Sequence, residues 1–321
     1  MSTPSASRPF PEPKGPVVSR VSGCWTAIVT PFTADGTEVD LERLRSQIAF
    51  QAQGGVTGIV PCGTTGESPT LTEAEHATVV ETAVREGRDR GLKVMAGAGS
   101  NSTAHAIHLH RTVARLGADL ALHVSPYYNK PSQEGLYRHF MAVADSAELP
   151  ICLYNIPGRC GVAIHPETVE RLARHPNIVA VKEATGSMDS ASEIRARCGI
   201  TILSGDDSLT LSFAAVGSSG VVSVLSNIVP QQVQALCRAF LANDFVAARQ
   251  EHERLFALAR GLLTLDTNPI PLKAAMEILG RDSGALRLPM CRASDAAFGR
   301  IRELLQQTGI AGGTRGAGAG R

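Results

Sequence analysis

Short apolar runs alternate with amphipathic segments along the chain from residue 23 to about residue 222. A run typically ends at Gly, Pro, Ser or Asn, and the segment after it carries apolar residues at helical spacing. The eight strand-like runs are CWTAIVTPF, GIVPCG, KVMAGAG, LALHVSP, PICLYNIP, IVAVKE, TILSGDD and GVVSVLS. Helices are predicted between them, including residues 40–53, 72–90, 102–116, 132–147 and 165–174. Thr72 with Glu75 three residues later predicts a capping box, and Pro166 and Pro230 suit first helical turns.

Strands that alternate with helices predict a parallel sheet with right-handed crossovers. Eight strand–helix units in about 200 residues predict the α/β class and a (β/α)8 TIM barrel over residues 22–225. An open doubly wound sheet is the alternative, but it usually carries a Gly-rich fingerprint after its first strand, and VTPFTADG is not one. After residue 226 the alternation stops. Residues 230–242, 244–263, 271–279 and 292–306 predict a C-terminal helical appendage over 226–308. The remaining segments, 1–21 and the Gly-rich 309–321, are predicted to be disordered tails.

The charge balance, 31 Lys and Arg against 30 Asp and Glu, leaves no basic excess for binding nucleic acid or an anionic membrane surface. No apolar run approaches the roughly 20 residues that a membrane-spanning helix needs. The N-terminal MSTPSASRPFPEPKGP lacks the apolar core of a secretory signal, so a cytoplasmic location is expected. A plastid is the alternative if this Ser/Pro-rich tail is a transit peptide. The seven cysteines include no C-x-x-C pair, which predicts reduced thiols.

Lys182 ends the apolar run at residues 178–181 without a polar residue before it. Strand alternation places Lys182 on one face with Ile178 and Ala180, and residues 179, 181 and 183 on the other. If the first face lines the barrel, burial lowers the pKa of the ammonium group, and a neutral amine can attack a carbonyl to form an imine. The alternative is a lysine paired with a carboxylate at the barrel rim, and the residue pattern alone leaves both open.

Polar residues at the other strand ends would meet at the C-terminal mouth of such a barrel. GTTGES, residues 63–68, offers two hydroxyls and backbone amides that suit a carboxylate or phosphate, although a simple tight turn is equally compatible with it. Tyr154 can move a proton, and Arg159 can bind a carboxylate in a two-pronged contact. Tyr127 and Tyr128 cannot both face inward on a strand, so an oligomer interface is a natural destination for one of them.

Other chemistries lack their motifs. HAIHLH, with His105, His108 and His110, lies on a predicted helix without an adjacent carboxylate base, so no metal site is expected. GAGSNS fails the dinucleotide fingerprint, GSSG at 217–220 is not a nucleophile elbow, and no P-loop occurs. The sequence therefore predicts that the chain uses no cofactor.

Together, GTTGES, SPYYNKP, YNIPGR and VKEATG occur in the order and spacing typical of the pyruvate-dependent Schiff-base aldolases. The chain resembles the dihydrodipicolinate synthase family of that group over residues 22–305. The resemblance implies a (β/α)8 barrel and a homotetramer built as a dimer of dimers. It also implies a reaction: pyruvate condenses with L-aspartate 4-semialdehyde through a lysine Schiff base to give 4-hydroxy-tetrahydrodipicolinate, the first committed step of diaminopimelate and lysine biosynthesis.

The resemblance also implies roles for individual residues. Lys182 corresponds to the lysine that forms the imine with pyruvate, and Tyr154 corresponds to the phenol that shuttles protons. Thr65 corresponds to the threonine that links this tyrosine to a second one, and Tyr128 to that second tyrosine, which a neighbouring subunit contributes. The substrate-binding positions are Thr64 and Thr65 for the pyruvate carboxylate, Arg159 for the semialdehyde carboxylate, and Gly205 and Val222 for the main-chain lining of the pocket.

Some members of the family are inhibited by lysine, which binds at a dimer interface. The positions that match this allosteric site are Ser68, His76, Asn101 and Tyr127. However, Glu73 replaces a common histidine, and His105 stands where inhibited enzymes carry the acid that accepts the lysine ammonium. Because losing that carboxylate weakens the binding of a cation, lysine inhibition is not expected.

Two alternatives remain at this point. The chain could be another class I pyruvate aldolase, an N-acetylneuraminate or 2-keto-3-deoxy sugar-acid lyase, although Arg159 favours an amino-acid carboxylate. It could also be a barrel that serves as a non-catalytic binding or regulatory protein. The complete set of Lys182, Tyr154, Thr65 and Tyr128 argues against that second alternative.

Overall fold

Eight parallel strands close into a barrel in a computed structural model that describes residues 21–310. The strands follow one another around the barrel in chain order, and β8 pairs with β1 to close the sheet. They are β1 (Gly23–Thr26), β2 (Gly58–Ile59), β3 (Lys93–Gly97), β4 (Leu120–Val124), β5 (Ile151–Asn155), β6 (Ile178–Glu183), β7 (Thr201–Ser204) and β8 (Gly220–Ser223). The predicted TIM barrel is therefore confirmed, and the doubly wound sheet is excluded.

Helices connect the strands, and four more follow β8. The helices between strands are α1 (Leu41–Gln53), α2 (Glu73–Asp89), α3 (Thr103–Arg115), α4 (Gln133–Ala144), α5 (Pro157–Cys160), α6 (Pro166–Leu172), α7 (Met188–Arg197) and α8 (Thr210–Ala215). The C-terminal helices are α9 (Pro230–Leu241), α10 (Phe245–Leu265), α11 (Ile270–Ile278) and α12 (Asp295–Gln307). In the described range, no helix is long and apolar enough to cross a membrane.

Local sequence signals set several of these boundaries. Thr72 caps α2 in a complete capping box with Glu75, and α6 and α9 begin at Pro166 and Pro230. One element differs from the sequence prediction: YNIPGR continues into the single helical turn α5, because Pro157 fixes the backbone at a first helical position. The tails expected at 1–21 and 309–321 lie outside the described residues, apart from residues 21, 309 and 310.

The core has two layers. Inside the barrel, Trp25, Met95, Leu122 and Leu203 belong to one buried cluster. Between the strands and the surrounding helices lie larger clusters that include Phe140. This arrangement leaves the C-terminal ends of the strands as the open mouth of the barrel, where functional side chains of this fold gather.

A register shift between β5 and β6 corrects one prediction about the Lys182 strand. Ile151 pairs with Ile178, whereas the next residue of β5 pairs with Ala180, so β6 carries one extra residue. As a result, Ala180 packs inside the barrel as predicted, but Ile178 packs in the outer cluster. Simple alternation places Ile178 on the inner face, and the bulge reverses it.

Three histidines form a buried polar layer between β4 and the helices α3 and α4. His110 Nδ1 lies 3.1 Å from His123 Nε2, and His139 Nδ1 lies 2.9 Å from the Thr103 hydroxyl. Burial lowers the pKa values of His110 and His139 to about 4 and that of His123 well below its ordinary value. All three histidines are therefore neutral in the folded protein near neutral pH.

We expect this layer to make the protein less stable in acid. Above about pH 6.5 these histidines are neutral in both states, whereas below it the unfolded chain binds protons that the folded chain cannot accept. At about pH 5, His139 alone should lower the free energy of unfolding by about 2 kcal/mol. Urea titrations at about pH 8 and pH 5 measure the free energy of unfolding. Between these two pH values, His139→Gln should lose about 2 kcal/mol less of this free energy than the wild type loses. The exposed His165→Gln is the control, and parallel curves for His139→Gln and the wild type would contradict the expectation.

Candidate active site

Lys182 lies near the end of β6 with its side chain buried, 5% exposed. Its Nζ lies 4.1 Å from the centroid of the Tyr154 ring, which comes from the neighbouring strand at the paired position. Among residues 21–310, Lys182 forms no ion pair. Within the described residues, the structure therefore excludes the alternative in which Lys182 pairs with a carboxylate at the rim. A buried amine without a counter-charge is suited to act as a nucleophile.

A cavity of about 510 Å³ opens beside Tyr154. Its walls come from the loop after β2, the ends of β3 and β4, and the segment after β5. The predicted site residues that line it are Thr64, Ser68, His76, Tyr127, Tyr154 and Arg159. The structure therefore brings the proposed catalytic tyrosine, the substrate-binding arginine and three of the four proposed allosteric positions to one connected space.

The fourth allosteric position, Asn101, lies at the edge of this region. Its side-chain amide donates to the backbone oxygen of Tyr127 at 3.2 Å. The two residues with departures from the inhibited pattern, Glu73 and His105, also line the cavity. Glu73 pairs with His108 at 3.5 Å, so its carboxylate already has a neighbouring partner.

The 63–68 loop presents its two threonines differently. Thr64 is half-buried and lines the cavity, whereas Thr65 is 3% exposed and lies behind it. The Thr65 hydroxyl accepts a hydrogen bond from Asn268 Nδ2 at 3.0 Å. The loop itself is held by Thr30, whose hydroxyl donates to the backbone oxygen of Gly66 at 2.7 Å.

A buried ion pair anchors the same loop to the C-terminal helices. Glu67 takes a left-handed backbone conformation, with φ at 52°, and its Oε1 lies 2.5 Å from Lys273 Nζ on α11. Lys273 is 0% exposed, and it also donates to the Ala285 carbonyl. Nearby, Arg287 Nη2 lies 2.6 Å from Glu75 Oε1, and this contact lowers the pKa of Glu75 to about 2.

Arg159 and Tyr128 both lie at the outer edge of the mouth. Arg159 is exposed, and its Nη2 donates to the backbone oxygen of Asn268 at 3.1 Å. Tyr128 is 88% exposed and has a positive φ of 74°, so its ring points away from its own barrel. Within one chain the structure therefore does not bring Tyr128 into contact with Tyr154 or Thr65.

Gly205 directly follows β7, which pairs with the Lys182 strand, whereas Val222 lies on β8, one strand farther around the barrel. Val222 packs in the cluster inside the barrel. Gly205 donates its backbone N–H to the Glu183 carbonyl, and a Cβ on Gly205 would lie 2.5 Å from the Cβ of Ala184. Only glycine allows this close approach of the β7 end to the segment that follows Lys182.

Two residues with evident roles at the mouth were not assigned from sequence. Asp207 is partly buried, accepts the Ser223 hydroxyl and two backbone amides after β8, and so ties the ends of β7 and β8 together. Burial raises the pKa of this carboxyl group. Asn268 lies 203 residues after Thr65. No local pattern indicates a contact over that distance, whereas Asp207 lies in the strand-like run TILSGDD.

Comparison with known proteins gives a consistent result. The dihydrodipicolinate synthetase family matches residues 20–308. A 4-hydroxy-tetrahydrodipicolinate synthase from Geotalea daltonii is 49% identical over 287 residues, which cover 89% of this chain and 98% of that relative.

Solved structures agree over the same span. DHDPS from Cyanidioschyzon merolae with lysine bound is 40% identical, with a TM-score of 0.88, and covers 91% of this chain and 99% of that one. A monomeric dihydrodipicolinate synthase variant is 37% identical, with a TM-score of 0.87, and covers 92% and 99% of the two chains.

Proposed function

This chain belongs to the dihydrodipicolinate synthetase family, and on that premise we propose that it is a 4-hydroxy-tetrahydrodipicolinate synthase. The substrates are pyruvate and L-aspartate 4-semialdehyde, and the reaction serves diaminopimelate and lysine biosynthesis. The observation that carries the proposal is the buried Lys182 amine, which has no ion-pair partner among the described residues and lies against the ring of Tyr154, a residue that lines the cavity together with Arg159.

The proposed mechanism begins with attack by the Lys182 amine on the keto carbon of pyruvate. Water leaves, and an imine forms. Loss of a methyl proton gives an enamine, whose carbon attacks the aldehyde of the second substrate. The amino group of that substrate then attacks the imine carbon, which closes the ring and releases Lys182. Tyr154, next to Nζ, is placed to carry the protons that these steps gain and lose.

Substrate recognition is assigned to the 63–68 loop and to Arg159, which follows β5. We propose that Thr64 and the backbone amides of its loop bind the pyruvate carboxylate, and that Arg159 binds the carboxylate of the semialdehyde. We assign the link between Tyr154 and a second tyrosine to Thr65. Thr64 is a second candidate for that link because it lines the cavity with Tyr154. Measuring turnover of Thr64→Val and Thr65→Val distinguishes the two assignments. The variant that lacks the linking hydroxyl should lose more activity.

The assembly is part of the same proposal. Tyr128 projects from its own barrel, which suits a residue that completes the site of a neighbouring subunit. This exposure supports the homotetramer, a dimer of dimers, that we propose from the family resemblance. Gly205 and Val222 are proposed to line the pocket with their main chain. The expected cytoplasmic location rests on the same family membership.

The direct test of function is turnover of pyruvate with L-aspartate 4-semialdehyde, coupled to a reductase that consumes the cyclic product. Cleavage of N-acetylneuraminate and of a 2-keto-3-deoxy sugar acid is assayed in parallel. Condensation without sugar-acid cleavage is the expected result. Cleavage without condensation would overturn the substrate assignment, and no reaction together with no imine trapping would favour the non-catalytic alternative.

We expect lysine to be a poor inhibitor of this protein. His105 offers no carboxylate to the lysine ammonium, and the exposed Glu73 carboxylate lies 3.5 Å from His108 Nε2. At about 1 mM, lysine should change the rate less than about twofold. His105→Glu, which adds a carboxylate to the cavity wall, should strengthen lysine binding several-fold. Calorimetric titration of both proteins measures this, and tight lysine binding by the wild type would refute it.

A further inference from the structure

The loop segment at residues 63–66 has four consecutive backbone N–H groups that donate to no acceptor within residues 21–310. Successive free amides of this kind suit an anion. The residues on either side, Cys62 and Glu67, both take left-handed backbone conformations, with φ at 55° and 52°. Residues other than glycine rarely adopt this conformation, and it persists only where the surrounding structure holds it. The shape of the anion site therefore depends on what holds these flanking residues.

The Glu67 side chain is held at both of its carboxylate oxygens. Its Oε1 lies 2.5 Å from Lys273 Nζ, and its Oε2 accepts the Arg287 backbone N–H at 3.1 Å. We propose that Glu67 and Lys273 are positioning residues for pyruvate, which hold the 63–66 amides in the arrangement that binds its carboxylate. This inference rests on the proposed function and deepens it, because it concerns how the same loop is kept ready for its substrate.

The Glu67 backbone connects the ion pair to the cavity. The Glu67 N–H donates to the Thr64 carbonyl at 3.1 Å, and Thr64 lines the cavity together with Tyr154. On its other side, the Glu67 carbonyl accepts the Thr70 N–H at 3.0 Å. If Glu67 left its left-handed conformation, both contacts would shift and the neighbouring amides would point elsewhere. Holding the Glu67 side chain therefore also fixes the direction of the amides that face the substrate.

The two donors to Glu67 require a carboxylate. A carboxylate offers one oxygen to Lys273 and one to Arg287, whereas a glutamine has a single oxygen and presents an N–H group to the second donor. Lys273 is 0% exposed, so its charge also acts on Glu67 at full strength, without solvent screening. Removing the ammonium group would leave an uncompensated carboxylate next to a loop that must receive an anion, and like charges repel.

Pyruvate binding is measured by the pyruvate concentration that gives half-maximal borohydride trapping on Lys182. Lys273→Met should raise this concentration, and the KM for pyruvate, about tenfold, while the KM for the semialdehyde stays within about twofold. Glu67→Gln should raise the pyruvate values less, about threefold, because the ammonium group can still donate to the remaining oxygen. A change confined to one substrate is the expected signature of a positioning role.

A purely structural role predicts a different pattern. Partial unfolding lowers the concentration of active enzyme, so it lowers the apparent kcat and leaves the KM for pyruvate unchanged. Ile194→Ala is the matched control. Ile194 lies on α7 and is fully buried in an outer cluster that contains no residue of the 63–68 loop, and its truncation opens a core cavity. It should lower the thermal midpoint, as Lys273→Met does, without changing the half-saturating pyruvate concentration.

The results for the inference and for the proposed function are distinguishable. Wild-type half-saturation by pyruvate in Lys273→Met, or an equal rise in Ile194→Ala, would overturn the inference. If Lys273→Met does not fold, Glu67→Gln supplies the same comparison with its smaller expected change. Trapping of pyruvate on the wild type is the separate check on function. Absence of trapping overturns the proposed function, whereas trapping with unchanged variants overturns only the roles of Glu67 and Lys273.

Discussion

Lys182→Met is expected to abolish imine trapping and to lower kcat by about 10⁴-fold or more, since it removes the nucleophile on which every later step depends. Methionine keeps most of the length and apolar character of the buried stem, so the barrel should stay folded. The measurement is borohydride reduction in the presence of pyruvate, followed by peptide mapping, alongside the coupled turnover assay.

The chain offers a sharp internal control because it has only five lysines. Among the four lysines that the structure describes, Lys182 and Lys273 are buried. Lys273 is ion-paired with Glu67, whereas Lys182 has no such partner among the described residues. If burial alone made a lysine reactive, both would be labelled. Labelling of Lys182 alone is the expected result. A label on Lys273, or on the exposed Lys93, would remove the basis of the mechanism.

Lys273→Met should lower the free energy of unfolding by about 3–5 kcal/mol, because it leaves the Glu67 carboxylate buried without its partner. Glu67→Gln should cost less than this, since the buried Asp282 carboxylate still faces the ammonium group. Urea unfolding monitored by circular dichroism gives both values. These losses are a large share of the stability of an ordinary domain.

The double variant Lys273→Met with Glu67→Gln distinguishes this ion pair from simple packing. Because neither charge remains, its stability should lie much closer to the wild type than the sum of the two single losses. Additive losses would mean that the pair is not coupled. Arg254→Met, which breaks an exposed pair with Glu251, is the control and should cost less than about 1 kcal/mol.

Much of the barrel follows from local signals. Turn residues and apolar runs predict eight strands, and Thr72, Pro166 and Pro230 mark helix starts that the structure contains. Local signals do not predict the register between neighbouring strands. Ile178 faces outward because the pairing of β5 with β6 slips by one residue, and that slip depends on a neighbouring strand.

The candidate site also combines contacts that local sequence signals predict with contacts that they do not predict. The burial of Lys182 and its approach to Tyr154 follow from two strands that sequence patterning identifies as neighbours. Asn268 and Lys273 reach the mouth from helices that lie far along the chain, so their contacts depend on how those helices dock. The identity of the partner of Thr65 could not be inferred from a motif.

The 63–68 loop lies far in sequence from Asn268 and Lys273, and this separation affects the order in which the interacting residues are synthesised. The loop that carries Thr65 and Glu67 is synthesised about 200 residues before Asn268 and Lys273. At roughly 5–20 residues per second, that interval is about 10–40 s. During that time the Glu67 carboxylate has no lysine to pair with and must stay hydrated. Because β8 ends at Ser223, all eight barrel strands are synthesised before the two residues that contact the 63–68 loop.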